Sequence, residues 1–139
     1  MEDRFDLSRF VHAQASVHEQ VVAELRAGRK RTHWMWFVFP QLAGLGHSAM
    51  AQRYAISSLD EARAYLEHPV LGARLRECSA LVLGVPGKTV HEIFGSPDDL
   101  KFHSSMTLFH RAAPDEAVFG ECLRKYFAGQ DDPLTLTGL

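Results

Sequence analysis

Two stretches hold the residues best suited to chemistry. The first is His33-Trp-Met-Trp-Phe-Val-Phe-Pro40, which contains both tryptophans and follows the basic run Arg29-Lys30-Arg31. An imidazole at His33 can donate, accept or carry a proton, and an indole at Trp34 or Trp36 can stack on a planar ligand. The second runs from Asp98 to Phe109, where Lys101, Ser104, Ser105 and Leu108 recur at i, i+3, i+4, i+7 and share one helical face. An ammonium and two hydroxyls on one face suit a polar or anionic group, and a lysine whose pKa is lowered by burial can activate a serine. Each feature has a structural alternative. His33, Trp34 and Trp36 can simply pack in a core, Lys101 can pair with Asp98 one turn earlier, and Asp98 and Asp99 can complement a helix dipole. For a reaction, His33 or Asp98 would be the acid or base.

Other chemistries find less support. The eight histidines form no H-E-x-x-H, and His103 and His110, seven apart, share a face without chelating distance. Cys78 and Cys122 are widely separated and outside any C-x-x-C, so they are expected to be reduced core thiols. Gly44-x-Gly46 is too short a pattern for a phosphate loop. No metal and no cofactor is expected.

The elements that must position these residues are helical. Ser16 to Glu19, Ser58 to Glu61 and Thr89 to Glu92 each have the capping-box pattern, Asp6 and Ser48 are further candidate N-caps, and Gly28 stands where a helix would end. Apolar residues at helical spacing follow each start, as in Val17, Val21 and Leu25, or Leu71, Leu75, Cys78 and Val82. Ala80-Leu-Val-Leu83 is apolar nearly all round and marks its helix as the central buried one. Asp98 and Asp99 open a helix from Pro97 to about Arg111, Pro114 and Asp115 open the next, and Asp132-Pro133 open a final turn. His33 to Phe39 has strand-like composition, but no second strand exists to pair with it. Since a lone strand leaves buried backbone groups unsatisfied, a short buried helix starting near Thr32 is expected. The fold class is therefore all-α, a multihelical bundle with a buried central helix, in one domain over residues 1–139.

Size and charge agree with that reading. A chain of 139 residues with 46% hydrophobic content can bury a core, and its formal net charge of −2 supplies no extended field for nucleic acid. No run approaches the roughly 18 apolar residues of a membrane helix, and the polar start Met1-Glu-Asp-Arg-Phe-Asp6 lacks a leader pattern. A cytoplasmic protein without membrane contact is expected.

Several longer motifs occur together: Phe5-Asp-Leu-x-Arg-Phe10, Gly28-x-Lys-x-x-His-Trp-Met-Trp-Phe-x-Phe-Pro-Gln41, Gly44-x-Gly46-x-Ser48, His68-Pro-x-Leu-Gly-x-Arg-Leu75, Ile93-Phe-Gly95 and Asp98-x-x-Lys101-x-x-Ser-Ser-Met-Thr-Leu-Phe109. Over nearly the whole chain they resemble the bacterial domain of unknown function family numbered eighteen-ten, whose members are often auto-labelled calpastatin. The resemblance implies a small multihelical domain with a buried central helix and no established activity. The calpastatin label does not suit the sequence, because an inhibitor of that kind is repetitive, polar and disordered until bound, whereas this chain is apolar and capped.

The functional expectation is a small-ligand-binding domain. The loop after Pro40 and the helix of Lys101, Ser104 and Ser105 would close a pocket for a polar or anionic planar metabolite, of nucleotide or ADP-ribose type. Lys101 would supply charge, the serines hydrogen bonds, and Trp34 or Trp36 stacking, with His33 and Asp98 also among the ligand-binding residues. Two alternatives compete with it. One is a protein-interaction module without catalytic activity; the other is single-stranded nucleic-acid binding through Arg29, Lys30, Arg31 and the aromatics, which near-neutral charge argues against.

Overall fold

The apolar spacing resolves into ten helices among the residues described by the computed structural model, 3–139. The first two residues of the polar start lie outside that range. In order, the helices are α1 (Ser8–Ala15), α2 (His18–Arg26), α3 (Met35–Val38), α4 (Ala49–Arg53), α5 (Leu59–Glu67), α6 (Leu71–Leu83), α7 (Val90–Phe94), α8 (Asp98–Ala112), α9 (Ala117–Phe127) and α10 (Pro133–Gly138). Extended pairing among the described residues is confined to one bridge, Leu42 with Ile56, so the fold is all-α as the spacing predicts. No described helix is long and apolar enough to cross a membrane.

The central helix is α8, not the expected α6. Residues 104–109 of α8 are buried without a break, together with Phe102 and Ala112, and α5, α7, α9 and α10 all pack on it. In α6, by contrast, Leu81 and Leu83 are half-buried and Ala80 is exposed. Of the three buried hydroxyls of α8, those of Ser104 and Thr107 reach back to the helix backbone. Thr107 donates to the His103 carbonyl at 2.9 Å, and the Ser104 hydroxyl lies 3.2 Å from the Leu100 carbonyl.

Helix starts follow local chemistry in most cases. Thr89 and Glu92 form the complete reciprocal box, while Ser48 and Asp132 accept from the N–H groups of Ala51 and Thr135. At α5, Ser58 accepts from Glu61 N–H, but the Glu61 carboxylate turns instead to Ser57 and to the Arg9 guanidinium at 3.0 Å. Two expected caps are displaced. Ser16 ends α1 rather than opening α2, and α1 is capped by Asp3, whose carboxylate accepts from the N–H groups of Leu7 and Ser8. Asp6, with φ of 52°, sits in the left-handed bend before the helix and cannot take that role.

His33 to Phe39 is indeed helical at its centre, as α3, with Trp34 and Phe39 fully buried. The Phe39 ring meets Phe102 of α8 edge-on at 5.0 Å between centroids, and Phe94 of α7 at 5.9 Å. These edge-to-face contacts dock α3 against α7 and α8, which brings the two chemically equipped stretches together.

A candidate ligand site at Trp36 and a lysine pair

The site begins with a buried carboxylate. Glu24 occupies the inward face of α2, i+3 from Val21, and only 3% of it is exposed. Its Oε1 accepts from Arg31 N–H at 2.7 Å, Thr32 N–H at 3.0 Å and the Trp34 indole N–H at 3.0 Å. Its Oε2 accepts from the Thr32 hydroxyl at 2.6 Å and the Gln20 amide at 2.9 Å. Burial by itself would raise the pKa of this carboxyl. The Thr32 hydroxyl, the Arg31 N–H, the Gln20 amide and the Thr32 N–H outweigh burial and hold it at about 2. The loop from α2 to α3 is thus wound around one anion.

That winding sets the direction of Lys30. Its backbone N–H donates to the Ile93 carbonyl of α7 at 2.8 Å. Arg29 and Arg31 are exposed on either side, while the Lys30 side chain is 8% exposed and places Nζ 2.9 Å from Asp98 Oδ2 and 5.1 Å from the centroid of the Trp34 ring. The other oxygen of Asp98 lies 3.6 Å from Lys101 Nζ. Lys101 Nζ in turn stands 5.5 Å over the ring of Trp36, which is half-buried. Two ammonium groups therefore share one carboxylate, each beside an indole face that favours a cation.

Trp36 also lines a cleft of about 130 Å³ together with the loop residues Gln41 to Gly44 and Gly46, the α4 residues Ala51 and Gln52, and Tyr54. The loop is pinned by two backbone hydrogen bonds of 2.8 Å, Ala43 N–H to the Ile56 carbonyl and Ile56 N–H to the Gln41 carbonyl. Gly46 permits a close approach to α4, since a Cβ there would lie 2.6 Å from that of Ala51. The walls are mainly apolar, with Gln41 and Gln52 as the polar side chains among the lining residues, and the Gln52 amide donates to the His47 carbonyl at 3.0 Å.

Of the residues expected to form a site, the structure brings together Trp36, Lys101 and Asp98. Trp34 is 1% exposed, with its N–H committed to Glu24, and supports Lys30 from behind. His33 is exposed. Ser104 lies 2.9 Å from Asp132 Oδ2, on the side of α8 that packs on α10. Ser105 is fully buried, and its hydroxyl has no hydrogen-bond partner. Neither serine hydroxyl hydrogen-bonds to Lys30, Asp98 or Lys101. Among the described residues no cluster of His, Cys, Asp and Glu could hold a metal, and both cysteines are free and buried.

The sequence reading did not single out Glu24, and it placed Lys30 only in the basic run considered for nucleic acid. Glu24 had a signal, because a carboxylate at an inward helical position needs partners. Lys30 was hidden in a run of three cations.

A family model described as "Protein of unknown function (DUF1810)" matches residues 4–139. The crystal structure of a conserved hypothetical protein from Mycobacterium tuberculosis is similar with a TM-score of 0.97 and 60% identity, covering 99% of this chain and 98% of that one. No curated protein matches.

Proposed function

This chain belongs to the DUF1810 family of proteins of unknown function, and from that premise we propose that it is a small-ligand-binding domain for an anionic planar metabolite. A planar ring enters the cleft on Trp36, and the ligand's negative charge meets Lys101. The observation that carries this reading is the Lys101 ammonium 5.5 Å over a half-exposed indole that also lines a cleft. A volume of about 130 Å³ suits one planar ring system, since an apolar cavity of roughly 150 Å³ accepts benzene. A nucleotide or an ADP-ribose derivative would insert its base and leave its phosphates outside, towards Lys101. Gln41 and Gln52 supply the few orienting polar groups such a pocket needs.

A thermal-shift screen with adenosine, adenosine 5′-monophosphate and ADP-ribose tests the proposal, repeated on Trp36→Leu and Lys101→Ala. The expected result is a rise in melting temperature that Trp36→Leu removes and that Lys101→Ala removes for the charged ligands only. A shift that survives both substitutions would refute this site.

A further inference from the structure

We infer that Lys30 and Lys101 form the seat of a phosphoryl group, and that the Asp98 carboxylate is the internal anion holding the seat until a ligand displaces it. The inference rests on the ligand-binding reading and names the group recognised. Neither ammonium has another ion-pair or hydrogen-bond partner among the described residues. Two ammonium groups thus have one carboxylate between them, and the Lys101 distance of 3.6 Å is too long for a hydrogen bond. The nearly buried Lys30 can give up few of its donors to water. Two cations and one anion also leave the cluster with one net positive charge, and Lys101 stands over Trp36, which lines the cleft.

The start of α8 does not supply the site by itself. Three of its first N–H groups are already taken, that of Asp99 by the Gly95 carbonyl, and those of Leu100 and Lys101 by the Pro97 carbonyl. What is unfilled is the coordination of the lysines. A phosphoryl group offers three oxygens where Asp98 offers two, and can take donors from both ammonium groups at once. Asp98 then acts as a competitor, which gives the inference a sign that an ordinary structural ion pair lacks.

Calorimetric titration of the full chain with inorganic phosphate, adenosine 5′-monophosphate and adenosine reads this directly, on wild type, Asp98→Asn, Lys30→Gln and Lys101→Gln. Asp98→Asn is expected to tighten phosphate and monophosphate binding by about tenfold, the scale of one lost like-charge contact in a partly screened site. Lys30→Gln and Lys101→Gln are expected to weaken both by at least about tenfold and to leave adenosine unchanged. If Lys30→Gln does not fold, the more exposed Lys101→Gln carries the test. Monophosphate binding tighter than either fragment identifies a phosphate ester, and binding equal to inorganic phosphate identifies the free ion; both support the seat. Asp98→Asn that binds no tighter than wild type, lysine variants that bind like wild type, or no phosphate binding at all would overturn the inference. The Trp36-dependent binding of adenosine reports separately on the cleft, so the two readings can fail independently.

Discussion

Replacing Glu24 by Gln should cost stability that depends on pH in a defined direction. The carboxyl is held at about 2 against an ordinary value of 4.5, and only 3% of the residue is exposed. The folded state therefore prefers the charged form, and the stabilisation is fully present above about pH 4.5 and lost as pH falls towards 2. Converted at the usual rate, the difference amounts to about 3 kcal/mol at neutral pH. Gln keeps the shape and one acceptor oxygen for Arg31, Thr32 and Trp34. Its amide nitrogen faces groups that can adapt, because the Thr32 hydroxyl can rotate and the Gln20 amide can flip. The loss thus falls mainly on charge, and about 2–3 kcal/mol is expected at pH 7. Urea denaturation followed by tryptophan fluorescence, at intervals from pH 7 to pH 2, gives both quantities. The gap between wild type and variant should shrink steadily below about pH 4.5 and close near pH 2. A gap of the same size at every pH would show that the hydrogen bonds, not the ionised carboxylate, hold the loop, and would refute the reasoning.

Three further outcomes follow from burial and contact. Ser105→Ala should leave the melting temperature unchanged or raise it, because its buried hydroxyl has no partner and such a group costs about 1–3 kcal/mol; differential scanning calorimetry decides, and a marked loss would mean the hydroxyl is bonded in solution. Gly72→Ala should destabilise by more than about 2 kcal/mol in urea, since its Cβ would stand 2.1 Å from the Leu66 carbonyl oxygen at the junction of α5 and α6; a loss of a few tenths would show that the junction can open without cost. Burial pushes the thiols of Cys78 and Cys122 up to about 12, so neither should react with a disulfide reagent at pH 8 until the protein unfolds in denaturant; rapid labelling of the native protein would contradict this packing.

What the sequence made legible was local. The box at Thr89 and Glu92, the caps at Ser48 and Asp132 and the pairing of Asp98 with Lys101 each involve residues three or four apart, and all are present. Burial of α8 was not legible, because its Ser104, Ser105 and Thr107 look like a solvated face until neighbouring helices cover them on several sides. Lys30 was misleading for a related reason. In a run of cations each side chain looks solvated, yet the loop wound around Glu24 leaves Arg29 and Arg31 exposed and turns Lys30 inwards to a carboxylate 68 positions later. The aromatic segment that seemed the natural binding platform divides in the same way. Trp34 is committed to Glu24 and the core, and Trp36 alone of the two lines a cleft. One buried anion therefore decides both partitions, since Glu24 fixes Trp34 by its indole N–H and orients Lys30 through the N–H groups of the residues that follow it. Core stability and the charge at the site are then coupled through Glu24. The Glu24→Gln variant, still folded at pH 7, should bind inorganic phosphate more weakly than wild type although Glu24 itself touches neither Lys101 nor Asp98.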